Sequence, residues 1–228
     1  MSLLAIKQIQ QVTCEAPGYN GPASGLRDSL QQMIPALCHF YYHAASTALT
    51  CGLSRVVTIA NEGVGKEPLQ PSYDFAPIRM PKSLHDGVQH PMNGLNNEDN
   101  PASDKAWAAQ ENNAAMIRRL YTWRSQQVAD LFERLDAVNL GGTTLADRTL
   151  MMMTNTGGGR HHRGNNEIPV LLVGNPDNVL NSGRYQNLGN QQNSMADVFT
   201  AVAHAMGVPT NRFGTAAHNK GPLPGLLA

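Results

Sequence analysis

Apolar residues recur at helical spacing in three stretches of the chain, and the segments between these stretches lack that spacing. The first stretch runs from Leu26 to Leu53, the second from Ser103 to Val138 and the third from Met195 to Met206. Pro35 lies inside the first stretch, so the helix is predicted to kink or restart there. Ser194 immediately precedes the third stretch and is its predicted N-cap. The pattern therefore predicts three helices.

Short hydrophobic runs rich in β-branched or aliphatic residues predict strands. Ser54 to Ala60 has the composition of a buried strand, and Thr149 to Thr154 and Ile168 to Val173 are predicted as two more. Helices and strands in this order are typical of an α/β fold with a mainly parallel sheet flanked by helices. Because such sheets bind ligands at the carboxyl ends of their strands, the loops after Ala60 and Thr154 are the predicted functional loops.

The chain is predicted to form one domain with extensions. Residues 1–25 are an N-terminal arm, and residues 26–228 form the α/β domain. Within that domain, residues 61–102 form a long loop dense in Pro, Gly, Asn and His, and residues 207–228 form a C-terminal coil tail. Irregular loops of this length are usually functional or form interfaces.

Composition narrows the choice of partners. Charged residues make up 15% of the 228 residues, the formal net charge is zero and aromatic residues are 6%, so nucleic acid is not an expected partner. No run of apolar residues is long enough for a membrane span, and Lys7 with several glutamines interrupts the first apolar run, which therefore lacks the core of a signal peptide. A polar surface with few charges suits permanent association with other chains.

The three cysteines show neither a CxxC motif nor a zinc-binding spacing. Cys38 and Cys51 lie in an apolar helical context and are predicted to be buried thiols. A disulfide that involves Cys14 is left open by the sequence.

Two loops contain residues suited to chemistry. In the 61–102 loop, Asp86 and His90 are spaced so that both can reach one metal ion, but the pattern alone is weak evidence for a metal, and the alternative is a solvated or capping role. In the loop after Thr154, Arg160 and Arg163 flank two histidines, and their guanidinium groups suit a carboxylate or a phosphate. The alternative for the second loop is a flexible, solvated connection.

Other candidates are weaker. The histidines on predicted helices, His39, His43 and His204, are expected to be packed or surface residues. Asp177 and Asp197 are the remaining acids in a loop or at a helix start, and Asp197 is more simply a partner of the helix dipole. The sequence contains no GxSxG, HExxH, Walker or GxGxxG motif.

An ordered set of motifs resembles one bacterial family. The segments are "LTCGLSRVVTIA", "HDGVQH", "LFERLDAV", "GTTLADRTLMMM", "RHHRGNNEIPVLLVGNPDNVLNSGRY", "MADVFTAVAHAMGV" and "FGTAAHNKGPLPGLLA". Together, from about Leu37 to the end, they resemble the C-terminal half of the family called domain of unknown function 1552. That family is related to the alkaline phosphatase and sulfatase superfamily, so the resemblance implies the corresponding half of an alkaline-phosphatase-like fold.

The resemblance also implies a degenerate metal site. Superfamily members carry an Asp-His ligand pair after the strand that matches Leu150 to Thr154, whereas this chain has Asn155 and Thr156 there. Asp86 and His90 resemble the ligand pair of the other metal, and His162 fits a family histidine. The metal implied is zinc, calcium or manganese.

The catalytic nucleophile of the superfamily lies in a part that this chain does not match. Two functions follow as expectations. The first is a non-catalytic structural or assembly subunit, in which another chain, identical or different, covers the exposed sheet edge. The second is a metal-dependent hydrolase of phosphate or sulfate esters, completed by a partner chain, with Arg160 or Arg163 holding the anion. Family members are typically exported, which implies a periplasmic or secreted location.

Overall fold

A computed structural model of the chain describes residues 14–20, 27–60, 72–73, 75–83, 104–154, 168–188 and 193–228. The described elements, in chain order, are α1 (Arg27–Thr50), β1 (Ser72–Tyr73), β2 (Met80–Ser83), α2 (Asp104–Asp136), β3 (Met151–Thr154), β4 (Val170–Val173) and α3 (Met195–Ala205), with 3₁₀ turns at Ala146–Arg148 and Pro176–Asn178. The three predicted helices are confirmed, and the fold of the described residues is mixed α and β. These residues form two compact units, one up to Leu135 and the other from Asp136 onward, called here the N-terminal and C-terminal units.

Helix α1 continues through Pro35 without the predicted restart. Past its end, Cys51 forms a disulfide with Cys14, which ties the 14–20 segment to the helix. The ring of Tyr19 in that segment packs edge-on against Phe40, with 6.0 Å between ring centres. The prediction that Cys51 is a buried thiol was therefore wrong, because the disulfide partner lies 37 residues away in the sequence.

The core of the N-terminal unit forms where α2 meets the segment around β2. Ile78, Met80, Met116 and Leu120 are its buried centre. Arg119 reinforces the contact, since its Nε donates a hydrogen bond of 2.7 Å to the carbonyl of Ile78. Strands β1 and β2 pair antiparallel within the predicted 61–102 loop, so this loop contains secondary structure that the sequence pattern did not predict.

The predicted buried strand at Ser54 to Ala60 is not a strand, and its residues are not buried. Val56 is 79% exposed and Val57 38%. A β-branched composition favours a pleated, half-buried position, but a strand forms only where another strand pairs with it. No described residue pairs with this segment.

In the C-terminal unit, β3 and β4 pair antiparallel, with Met151 opposite Val173 and Thr154 opposite Val170. The two strands were predicted, but the mainly parallel sheet was not found among the described residues, where both strand pairs are antiparallel. No helix was predicted between the two strands, and consecutive strands without a helical crossover pair most simply as a hairpin.

Helix α3 and the C-terminal tail complete the second core. Val198, Ala201 and Leu223 are its buried centre. The tail has no helix or extended strand, as predicted, yet Leu227 forms an isolated β-bridge with Leu180. The terminal amide of Ala228 donates to the carbonyl of Val179 at 2.8 Å, so hydrogen bonds hold the tail to its very end.

Candidate functional site

The residues predicted to carry chemistry lie outside the described residues. They are Asp86, His90, Asn155, Thr156, Arg160, His162 and Arg163. Their predicted roles as metal ligands, anion ligands and degenerate site therefore stay predictions.

The strand ends that border the second predicted loop are described. Thr154 ends β3 opposite Val170 of β4, and its hydroxyl donates to the carbonyl of Pro169 at 2.9 Å. The loop that begins at Asn155 thus leaves one strand and returns to its antiparallel neighbour. The carboxyl end of β3 lies beside the amino end of β4, so within this pair the rule that ligands gather at the carboxyl ends of parallel strands does not apply. The rule does not apply to the segment after Ala60 either, because residues 54–60 do not form a strand.

Asp177, one of the acids considered from sequence, is engaged at the surface. Its Oδ1 lies 2.7 Å from Nη1 of Arg148, and both side chains are largely exposed. An exposed ion pair of this kind contributes about 0–1 kcal/mol to stability. It links the two 3₁₀ turns that flank the hairpin.

Asp197, in the first turn of α3, is a buried carboxylate with several hydrogen-bond partners. It is 1% exposed. Its Oδ2 accepts a hydrogen bond from the amide of Ser194 at 2.9 Å, while the Ser194 side chain accepts one from Ala196 N at 3.1 Å. Ser194 is therefore the N-cap, as predicted, and Asp197 completes a capping box.

The second oxygen of the same carboxylate binds the C-terminal tail. Asp197 Oδ1 accepts from the Lys220 amide at 2.7 Å and from Asn219 Nδ2 at 3.2 Å. Asn219 Nδ2 also donates to the hydroxyl of Thr200 at 2.8 Å, and the Ser194 hydroxyl donates to the His218 carbonyl. The group Asp197, Thr200 and Asn219 is called the tail clamp below.

The tail clamp stabilises the fold and is not suited to catalysis. Both oxygens of Asp197 are occupied by backbone and amide donors, and the carboxylate is shielded from water. A general base must reach the proton that it abstracts, and this carboxylate has no open approach. Sequence reasoning found the dipole role of Asp197 but missed Asn219, because a loop asparagine 22 residues away carries no local signal of such a contact.

Two histidines on α1 also lie close together. The rings of His39 and His43 are 6.1 Å apart between their centres, with an angle of 72° between their planes. Each residue was predicted to be packed or on the surface, and they were not considered as a pair. The signal was available, because residues four apart lie on the same face of a helix.

The N-terminal unit also carries an apolar surface. Leu53, Val56 and Val57 are exposed shortly after the end of α1, and residues 53–57 are called the 53–57 segment below. Among the described residues, the backbone amides of residues 57–60 make no hydrogen bond to another backbone group. The exposed apolar side chains of the 53–57 segment thus lie beside the amides of residues 57–60, which no described backbone group engages.

In the described part of the chain, no three His, Cys, Asp or Glu side chains are grouped so that they could hold a metal ion. No helix described there is long and apolar enough to span a membrane. Comparison with protein-family models, with curated proteins and with solved structures found no match for the chain.

Proposed function

We propose that the chain is a non-catalytic structural subunit of a larger protein assembly, and that the 53–57 segment and the residues that follow it contact another chain. The exposure of this segment is the observation that carries the proposal. Val56 is 79% exposed although it lies in a β-branched run that is typical of a sheet interior. Soluble monomers rarely leave such a run uncovered, because apolar surface gains about 25 cal/mol for each Å² removed from water.

The backbone of this region favours pairing with a strand of the partner. The amides of residues 57–60 are not used by any described backbone acceptor, so an added strand would find donors in place. At Val56 the situation differs, because the Ser54 hydroxyl accepts from the Val56 amide at 3.2 Å and donates to its carbonyl at 2.6 Å. Strand addition is therefore expected to begin after Val56, while Leu53 and Val56 contribute apolar contact.

The ancestry proposed for this subunit follows from the resemblance to the domain of unknown function 1552 family. On that basis the sheet of an alkaline-phosphatase-like fold is completed by the partner chain. Asn155 and Thr156 then stand where the superfamily has metal ligands, which supports a subunit without catalytic activity. The disulfide between Cys14 and Cys51 supports a location outside the cytoplasm, because disulfides persist in oxidising compartments.

The test is the mass of the full chain isolated from its native source, measured by light scattering after size exclusion, for the wild type and for Val56→Lys. We expect the wild type to elute in a complex larger than the 24.6 kDa of one chain. Val56→Lys should release the subunit without unfolding it, since the side chain is exposed and the substitution removes no buried contact. A matched control is Val208→Lys, which places the same charge at another exposed valine and should leave the complex intact.

The same preparation separates the two expected functions. Hydrolysis of phosphate or sulfate esters in the presence of zinc, calcium or manganese, by a chain that elutes as a monomer, would overturn the proposal in favour of a hydrolase. An assembly that Val56→Lys leaves intact would show that another surface makes the contact.

A further inference from the structure

The histidine pair of α1 has the arrangement of a chelating site. His39 and His43 lie one helical turn apart on one face, with 6.1 Å between ring centres. His39 is exposed and His43 is partly exposed, so an ion in solution can reach both rings. Among the described residues no hydrogen bond engages either imidazole ring, and the carbonyl of His43, not its side chain, accepts from Ser46.

We propose that His39 and His43 bind one divalent metal ion of borderline softness, such as zinc, copper(II) or nickel. Two imidazoles that share one zinc at about 2.0–2.1 Å place their ring centres roughly 5 Å apart, so a movement of about 1 Å closes the site. Rotation of the two side chains supplies this movement while the helix backbone stays in place. Because the helix already holds both residues on one face, little conformational entropy is lost on binding.

The kind of ligand that the pair offers determines which ions it binds. The helix from Met33 to Thr50 contains no Asp, Glu, Lys or Arg, so it presents neither a carboxylate ligand nor a competing cation. Neutral imidazole nitrogen suits zinc, copper and nickel, whereas calcium and magnesium prefer oxygen ligands. The site therefore discriminates by ligand type.

The pair offers two ligands, which leaves coordination positions for water or for a donor from another molecule. A four-coordinate ion with two protein ligands keeps two positions open. The site is separate from the one predicted at Asp86 and His90, which lies elsewhere in the sequence and rests on residue spacing and on the resemblance. The inference is independent of the proposed assembly function.

His204 provides a contrast, because its ring nitrogen already has a hydrogen-bonding partner within the protein. Its Nε2 lies 2.7 Å from the carbonyl oxygen of Thr210, so this nitrogen already has a polar partner. Neither His39 nor His43 has a comparable contact within the described chain. Their nitrogens are available to a metal.

The experiment is a calorimetric titration of the full chain, stripped of metal with a chelator, with zinc chloride and separately with copper(II) chloride. The variants are His39→Ala, His43→Gln and the double variant, and the controls are His218→Ala and His90→Ala. We expect the double variant to bind one ion fewer per chain than the wild type. Each single variant should weaken that binding step by more than about tenfold. Loss of a residue that only supports a ligand already costs about tenfold, and here a ligand itself is lost.

Electron paramagnetic resonance of the copper(II) form gives a readout that folding alone does not change. The wild type should show nitrogen coordination at a site that disappears in the double variant and persists in His218→Ala and His90→Ala. Circular dichroism should be the same for all variants, since His39 is exposed and His43→Gln keeps a polar side chain. Equal stoichiometry, affinity and spectra in the wild type and the double variant would overturn the proposal.

Discussion

Asn219 Nδ2 donates a buried hydrogen bond of 3.2 Å to Asp197 Oδ1, and so joins the C-terminal tail to the first turn of α3 across 22 residues of sequence. The same nitrogen reaches the Thr200 hydroxyl at 2.8 Å. One amide group thus bridges two residues of one helix. The relationship explains why a tail without helix or strand is nonetheless packed against the core at Leu223.

Replacing Asp197 with Ala should destabilise the C-terminal unit by about 1–3 kcal/mol, because buried donors lose their acceptor. The donors affected are the amides of Ser194 and Lys220 and the side chain of Asn219. Asn219→Ala should cost less, since Lys220 N still occupies the carboxylate. The measurement is the free energy of unfolding in urea.

The control for this prediction is Asp130→Ala on the exposed face of α2, which should change stability by less than about 0.5 kcal/mol. Hydrogen exchange would locate the effect, with faster exchange at Leu223 N, whose acceptor is the Asp197 carbonyl. If Asp197→Ala is no less stable than Asp130→Ala, the tail clamp does not hold the tail.

Loss of the disulfide should destabilise the N-terminal unit. Closing a loop with a sequence separation of 37 residues is worth about 4 kcal/mol by the chain-entropy estimate, and measured values are commonly about 2–4 kcal/mol. We expect Cys14→Ser and Cys51→Ser to lower the urea midpoint to a similar extent, because either change opens the same bond. Cys38→Ser, which removes the free cysteine, should not have this effect.

A thiol count tests the same bond directly. The unreduced chain, denatured and treated with iodoacetamide, should take up one label at Cys38, and the reduced chain should take up three. Three labels without reduction would contradict the disulfide and the support that it lends to an extracytoplasmic location.

Cys38 should react slowly with alkylating reagents in the folded protein. Burial raises the pKa of its thiol above the ordinary value of 9.0, and the nearby Arg124 guanidinium opposes this shift only in part. Since the thiolate is the reactive form, alkylation at pH 8 should be slower in the folded chain than in urea. The measurement is the rate of labelling by mass spectrometry.

The same shift predicts how stability depends on pH. The folded state holds the thiol proton more tightly than the unfolded chain, so the contribution is present below pH 9.0 and is lost as the pH rises above it. Between pH 8 and pH 10 the wild type should therefore lose more stability than Cys38→Ser. An equal loss in the two proteins would show that the thiol is not shielded.

The sequence by itself determined the elements whose signals are local. Helical spacing of apolar residues located the three helices of the described chain, and the N-cap at Ser194 was readable because it directly precedes its helix. The positions of β3 and β4 were also predicted from short hydrophobic runs. In each case the information lies within one or two turns or within one strand.

Only the tertiary structure decided what depends on distant partners. Strand direction depends on which strand lies alongside, so the β3–β4 hairpin replaced the expected parallel pairing. The run at Ser54 to Ala60 has a strand-like composition, but a sheet needs a second strand, and the described chain supplies none. The Cys14–Cys51 bond and the Asn219–Asp197 contact likewise join residues 37 and 22 positions apart. Hydrophobic periodicity reports which face of an element is apolar, but the identity of the partner is set by packing.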